Sequence, residues 1–486
     1  MKIFRREGAP HWMVSVIPFL VLVAALVLVI KGFGVDALSG GSQLALILAA
    51  GITAAISMTF YKTSWAQLEE SIVNNIRSVV TAVIILLLIG AVAGSWMVSG
   101  VVPTLIYYGM KVITPSIFLF ATCLICALIS IMTGSSWTTI ATVGVALVGI
   151  GTAQGYDPGW TAGAIISGAY FGDKVSPLSD TTVLASSSAE TPLFTHIRYM
   201  MITTVPSFVI SMIVFLVVSL LHTASDTGMV ADFSNSLSST FNISPWLLLV
   251  PVLTGVLIAR KVPAIITLFC AAVIAGVFAL IFQPHIISEI STGARLNEGS
   301  LAFMDGFKGI FQSYYGATSI DTGNPELNDL ISTRGMTGML DTIFLIIAAG
   351  TFGGALVGSG MLQSLTTALV TLVRSRVAMV VSTVGTGVFA NMITGDQYLS
   401  IILTSSLYKK LYQERGYESK LLSRSVEDSA TVVSVLIPWN SCGMTQATVL
   451  KVSTLHYLPY CLFNLISPLM SIFIAAIGYK IVKKSK

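Results

Sequence analysis

The chain has 486 residues, 54% of them hydrophobic and only 10% charged, with a formal net charge of +4 and a mean hydropathy of +0.86. Soluble domains carry about 25% charged residues, so the composition excludes a soluble enzyme or a nucleic-acid binder. The small basic excess reads as a topology signal of membrane-segment ends.

The first apolar runs, Val14–Ile30 and residues 43–60, approach the roughly 20 residues a spanning helix needs. The N-terminal run is too long, and followed by too many others, for a secretory signal. Residues 61–77, with Trp65, Glu69, Glu70 and Arg77, read as a short cytoplasmic amphipathic piece. The span at 78–98 carries Gly90-x-x-x-Gly94, a spacing that lets helices approach closely in lipid. Residues 116–150 follow, with Thr133-Gly134-Ser135-Ser136-Trp137 at their middle and no hydrophilic loop. This stretch is either two crossings or a re-entrant hairpin. Irregular backbone at its tip is tolerated only where it is buried in protein or lines a cavity. Cys123 and Cys126 have CxxC spacing, but with no second pair they read as packing residues.

The span at 161–186 contains Gly172-Asp173-Lys174-Val175-Ser176-Pro177-Leu178-Ser179-Asp180-Thr181. A carboxylate at mid-membrane costs roughly 2.5–3.5 kcal/mol even on a lenient scale, which makes Asp173 and Asp180 functional candidates. Pro177 removes a backbone donor and frees nearby carbonyls. Together with Ser176, Ser179 and Thr181 they form an oxygen shell suited to a small hard cation. The alternative is that Asp173 pairs with Lys174 and only holds the helix.

Spans at 200–221, 244–259 and 263–283 come next, with residues 223–243 as an external connection. The region 284–337 reads as an external loop with amphipathic pieces on the membrane surface. The span at 338–358 starts near Asp341, a helix-end residue, and carries Gly350-x-x-x-Gly354. Residues 377–408 form a second hairpin candidate, with Thr394-Gly395-Asp396-Gln397-Tyr398 at its centre. The span at 425–450 holds Glu427-Asp428 and Pro438-Trp439-Asn440-Ser441, and 457–479 is the last. Glu427 and Asp428 fit a solvated helix start, favourable at the helix dipole, as well as a transport role.

Two motifs repeat at one spacing. Thr133 and Thr394 are 261 apart, and so are Pro177 and Pro438. Asp396 then stands where Ser135 stood, and Asn440 and Ser441 stand for Ser179 and Asp180. The expected fold is an all-α integral membrane protein of two inverted-topology repeats with broken helices and re-entrant hairpins. The first repeat covers 1–222 and the second 244–486. With both termini cytoplasmic, 19 of the 26 basic residues, Arg424 among them, fall on the inner side.

The segment Gly172 to Thr182, with Thr133 to Trp137 and Leu436-Ile437-Pro438-Trp439-Asn440-Ser441-Cys442-Gly443, resembles signatures of the NhaC-type sodium/proton antiporters. The likeness runs from about Val79 to Ala475. It implies a multi-pass secondary transporter of a bacterial inner membrane, with inverted repeats, elevator movement and a homodimer. It also implies that Asp173, Asp180, Thr181, Asp396 and Asn440 serve the ion, with sodium at Asp180, Thr181, Asp396 and Asn440. The wider binding set is Ser135, Ser136, Thr138, Asp173, Ser176, Ser179, Asp180, Thr181, Asp396, Asn440 and Ser441.

The expected activity is therefore exchange of cytoplasmic sodium for external protons by alternating access. Its expected partners are the lipid bilayer and these two ions, with no cofactor and no nucleic acid. The main rival is a sodium- or proton-coupled carrier of an organic acid such as malate or lactate, with an anion site at Lys174, Ser135, Ser136 and Thr138. An enzyme is not expected, since no HExxH or GxSxG is present. All five histidines read as interface-facing residues at span ends.

Overall fold

The computed structural model describes residues 10–33, 40–222, 227–260, 262–295, 301–371 and 375–481. Lys2, Arg5, Arg6, Lys261, Arg374, Lys483, Lys484 and Lys486, all assigned above to the inner side, lie outside the described residues. So does the start of the 223–243 connection. The described residues are predominantly helical and hold no strand; an isolated bridge pairs Thr318 with Thr333. Nine of their helices are long and apolar enough to cross a membrane, or eleven if each of two bent pairs is one span. The all-α membrane class follows from this.

The chain begins with α1 (Trp12–Phe33) and α2 (Gly41–Tyr61). Next is α3 (Trp65–Val98), a single helix of 34 residues, about 50 Å at 1.5 Å per residue. It absorbs the 61–77 segment expected to be a separate amphipathic piece. The Ser64 hydroxyl accepts from the Gln67 amide at 3.2 Å, and no proline or glycine interrupts the chain before Gly90, so the helix runs on. A Cβ on Gly94 would lie 1.9 Å from the Ser313 carbonyl oxygen. The glycine spacing here serves close approach. Gly94→Val is expected to cost at least about 1–3 kcal/mol through overpacking, read as a lowered unfolding midpoint in detergent. An unchanged midpoint would contradict this packing.

After α4 (Val101–Val112) comes a helical hairpin, α5 (Phe118–Thr133) and α6 (Ser136–Ala153). Its two ends meet: Gln154 Nε2 donates to the Ile113 carbonyl and the Tyr156 hydroxyl to that of Pro115, both at 2.6 Å. Gly134, with φ +66°, makes the tip. The broken helix follows as α7 (Pro158–Val175) and α8 (Asp180–Ser188). Then come α9 (Leu193–Leu221), α10 (Thr227–Thr240), α11 (Leu249–Ala259) and α12 (Ala264–Phe282). The 284–337 region holds α13 (Pro284–Thr292), α14 (Phe303–Tyr315) and α15 (Pro325–Ile331).

In the second half α16 (Leu340–Gly358) packs against α3, where a Gly354 Cβ would come within 2.5 Å of Ile72 Cα. After α17 (Met361–Thr371) comes the second hairpin, α18 (Arg376–Thr394) and α19 (Gln397–Glu414). Its arms lie side by side, with Tyr408 and Tyr412 hydroxyls 2.9 and 3.0 Å from those of Thr386 and Thr383. The second broken helix is α20 (Ser419–Val426), a π-helical turn at Glu427–Thr431, and α21 (Ser441–Leu450). The last helix is α22 (Leu462–Ile477).

Each hairpin is pinned to its broken helix by the same pair of bonds. Ser130 Oγ donates to the Ala169 carbonyl and Asn391 Nδ2 to that of Ala430, both at 2.6 Å. Ser176 Oγ reaches the Ile131 carbonyl at 2.8 Å, and Trp439 Nε1 reaches that of Met392 at 2.7 Å. The acceptors in each pair are 261 residues apart. The Ile131 and Met392 carbonyls lie in the last turns of α5 and α18, where intrahelical donors are lacking, and the side chains supply them.

Candidate ion-binding site

Four helix starts are capped by side chains at the breaks. Ser135 accepts from the Thr138 amide, Ser179 from Thr182, Asp396 from Leu399 and Asn440 from Cys442. Serine, aspartate and asparagine are favoured caps because a short side-chain oxygen can satisfy an orphan amide. The Thr-Gly motifs supply the matching helix ends: Gly134 and Gly395 take φ +66° and +65°, the left-handed region where glycine ends a helix without a Cβ penalty. Helix starts and helix ends therefore converge on one place.

A cavity of about 470 Å³ opens there. Ser135, Thr138, Asp173, Asp180, Gln397 and Tyr398 are among its polar walls, and Ile85, Trp137, Ile258 and Val262 among its apolar ones. Asp173 is 6% exposed. Its Oδ2 accepts from the Ser136 amide at 3.1 Å and the Ser136 hydroxyl at 2.7 Å, while its Oδ1 has no hydrogen-bond partner. Asp180 is exposed to the cavity. Its Oδ2 accepts from the Tyr398 hydroxyl at 2.8 Å, which links the first broken helix to the tip of the second hairpin.

The remaining candidates sit behind this surface. Ser176 serves the Ile131 carbonyl, and the Ser179 and Thr181 hydroxyls bond each other at 2.9 Å. Asp396 is 2% exposed, with Oδ1 capping α19 and Oδ2 3.4 Å from Ser441 Oγ. Asn440 donates to the Asn391 side chain at 3.1 Å and uses its own oxygen on the Cys442 amide. Sequence reasoning missed Gln397 and Tyr398 as site residues. The signal was there: they directly follow Asp396, at the first positions of a helix starting at the hairpin tip.

Five expectations are corrected. Asp173 does not pair with Lys174, because adjacent residues on a helix do not face each other. Lys174 turns the other way and pairs with Asp428, so it is withdrawn from the anion site suggested with Ser135, Ser136 and Thr138. Glu427 and Asp428 are not a solvated helix start, since both are fully buried. Arg424, counted as a cytoplasmic charge, is equally buried, over the Tyr199 ring at 4.9 Å. His196 is not at an interface: it is buried where α9 packs on α20, with Nδ1 2.8 Å from Ser423 Oγ.

Comparison with known proteins places the chain among transporters. The family model described as "Na+/H+ antiporter family" matches residues 9–189 and 168–479. The chain is 36% identical to the Na(+)/H(+) antiporter NhaC of Alkalihalophilus pseudofirmus, over 89% of this chain and 90% of that one. It is 37% identical to the malate-2H(+)/Na(+)-lactate antiporter of Bacillus subtilis, over 82% and 81%. It is 31% identical to the arginine/ornithine antiporter ArcD of Halobacterium salinarum, over 99% and 95%.

Proposed function

The chain belongs to the Na+/H+ antiporter family, and on that premise we propose that it exchanges cytoplasmic sodium for external protons by alternating access. The observation that carries this is the pair of cavity carboxylates, Asp173 with an unpartnered oxygen and Asp180 open to the cavity, framed by hydroxyl groups. A small hard cation prefers such oxygen ligands. The converging helix ends add carbonyl oxygens carrying partial negative charge. Sodium binds here, with Asp396 and Asn440 holding the second half's helix starts in place and Thr181 backing Ser179.

The cavity opens beside Ile258, Val262 and Pro263, next to Arg260, which the charge distribution assigns to the cytoplasm. At the other end of α21, Lys451 Nζ donates to the carbonyls of Asp329 and Ser332 at 2.9 and 2.6 Å. On the proposed orientation that tie lies on the external side, away from the mouth of the ion cavity, and supports an inward-open state. Transport follows when the hairpins and broken helices move, elevator fashion, against the frame of α3, α12 and α16. The protein acts in a bacterial inner membrane, with both termini cytoplasmic and a homodimer as its assembly.

One observation favours a second reading. A volume of about 470 Å³ with apolar walls exceeds what sodium needs and falls in the range of small-molecule sites. A small organic acid coupled to sodium or protons would fill it. Flux into proteoliposomes, with an imposed sodium gradient and an internal pH dye, separates the two. Proton movement with no organic acid present is the expected result. Movement only after adding malate or lactate would establish the carrier.

Orientation has its own test, in a background without native cysteines. Single cysteines at Ser300, which lies outside the described residues, and at Ser419 are expected to label from opposite sides. Ser300→Cys should react with an impermeant reagent added outside, and Ser419→Cys only after permeabilisation. Labelling of both from one side would remove the inverted-repeat topology.

A further inference from the structure

We propose that Glu427 carries the proton, at a site of its own behind the ion cavity; this rests on the exchange reading above. Glu427 is fully buried, and neither carboxyl oxygen has a hydrogen-bond partner among the described residues. It opens the π-helical turn Glu427–Thr431, a departure from regular helix that is frequent at functional sites.

The groups around it come from every element packed there. From its own helix come Arg424 and Asp428, and from α7 come Asp173 and Lys174. α9 brings His196 and Thr203, and α22 brings Asn464 and Ser467. α8 brings Asp180 on the cavity side. α18 presents the neutral Asn391 to the Ala430 carbonyl. α19 carries Asp396 at its capped start and Lys409 at its far end, paired with Glu190 at 2.5 Å.

Among these the acids differ sharply. Asp428 Oδ1 is saturated by Lys174, by Thr203 at 3.1 Å and by Ser467 at 3.2 Å, and its Oδ2 lies 4.0 Å from Arg424 Nε. Asp173 is held by Ser136. Among the described residues, Glu427 is the buried acid that lacks a partner on both oxygens.

Charge then couples this site to the cavity. In the buried cluster behind the cavity, Asp173, Glu427 and Asp428 against Lys174 and Arg424 leave one negative charge when all are ionised, Asp180 facing the cavity and Asp396 the start of α19. Either a proton on Glu427 or a sodium ion beside Asp173 cancels it. An uncompensated charge is disfavoured in such surroundings, so the two ions exclude each other without sharing ligands. Glu427 takes up one proton, forming a carboxyl O–H bond, as sodium leaves. That bond breaks and the proton departs as sodium arrives, with charge balanced at each step.

The test uses purified full-length protein in proteoliposomes. In Glu427→Gln, which fixes the charge state that a bound proton gives, sodium-driven proton flux is expected to fall by roughly tenfold or more, while isotopic sodium/sodium exchange persists with a raised, pH-independent half-saturating sodium concentration. Glu427→Asp is expected to restore proton flux with a shifted pH midpoint. Wild-type proton flux in Glu427→Gln overturns the proposal alone. So does loss of both fluxes even at saturating sodium in a protein that purifies as wild type does. If Glu427→Gln does not fold, Glu427→Asp decides, and an unmoved pH midpoint there overturns the assignment. A wild-type protein without sodium-driven proton flux overturns the exchange reading as well.

Discussion

Asp180→Asn is expected to abolish sodium-driven proton flux while leaving the protein folded and inserted. Asparagine keeps the shape of the side chain, and its amide oxygen can still accept from Tyr398, so the link to the second hairpin survives. Only the charge is lost. A pair of unit charges about 4 Å apart at an effective dielectric of about 20 is worth roughly 4 kcal/mol. Sodium binding should therefore weaken by on the order of a hundredfold or more. Because Asp180 is exposed to the cavity and begins its helix, the fold has little reason to fail. Flux from Asp180→Asn at the wild-type rate would mean that the cation is held elsewhere.

The second large effect is on pH dependence. If sodium and a proton exclude each other, the apparent sodium affinity weakens as pH falls. The change is up to tenfold in dissociation constant per pH unit for each proton displaced, or about 1.4 kcal/mol. Sodium-induced proton release across a pH series, at fixed ionic strength and clamped potential, measures it. In Glu427→Gln the same series should be nearly flat. A wild-type affinity flat from acidic to alkaline pH would favour the organic-acid carrier.

The site's framework was legible in the sequence for a local reason. Thr133-Gly134-Ser135 and Thr394-Gly395-Asp396 each contain a helix end, a left-handed glycine and a cap within three residues. Pro177 and Pro438 mark the breaks just as locally. Their shared spacing of 261 tied the four pieces into one arrangement. The partner of Lys174 was not legible, because it lies 254 residues away and nothing near Lys174 announces it. Arg424 and His196 were misplaced by rules that treat charge and position near a span end as signs of exposure. Those rules fail where a segment end is covered by other helices, as α20 is by α9 and α22. The length of α3 was missed because charged residues were taken as a boundary, although the backbone offered no stop.

The pairing of Lys174 with Asp428 also bears on how the protein is made. Translation runs at about 5–20 residues per second, so Lys174 enters the bilayer on the order of tens of seconds before its partner has been synthesised. The first half, despite its own hairpin and broken helix, waits in that interval with a lysine that nothing neutralises. A segment in that position has reason to stay near the membrane surface or beside the insertion machinery until Asp428 arrives. The two halves therefore mature together, and a first half expressed by itself is expected to be cleared by membrane proteases unless the second half is supplied alongside it.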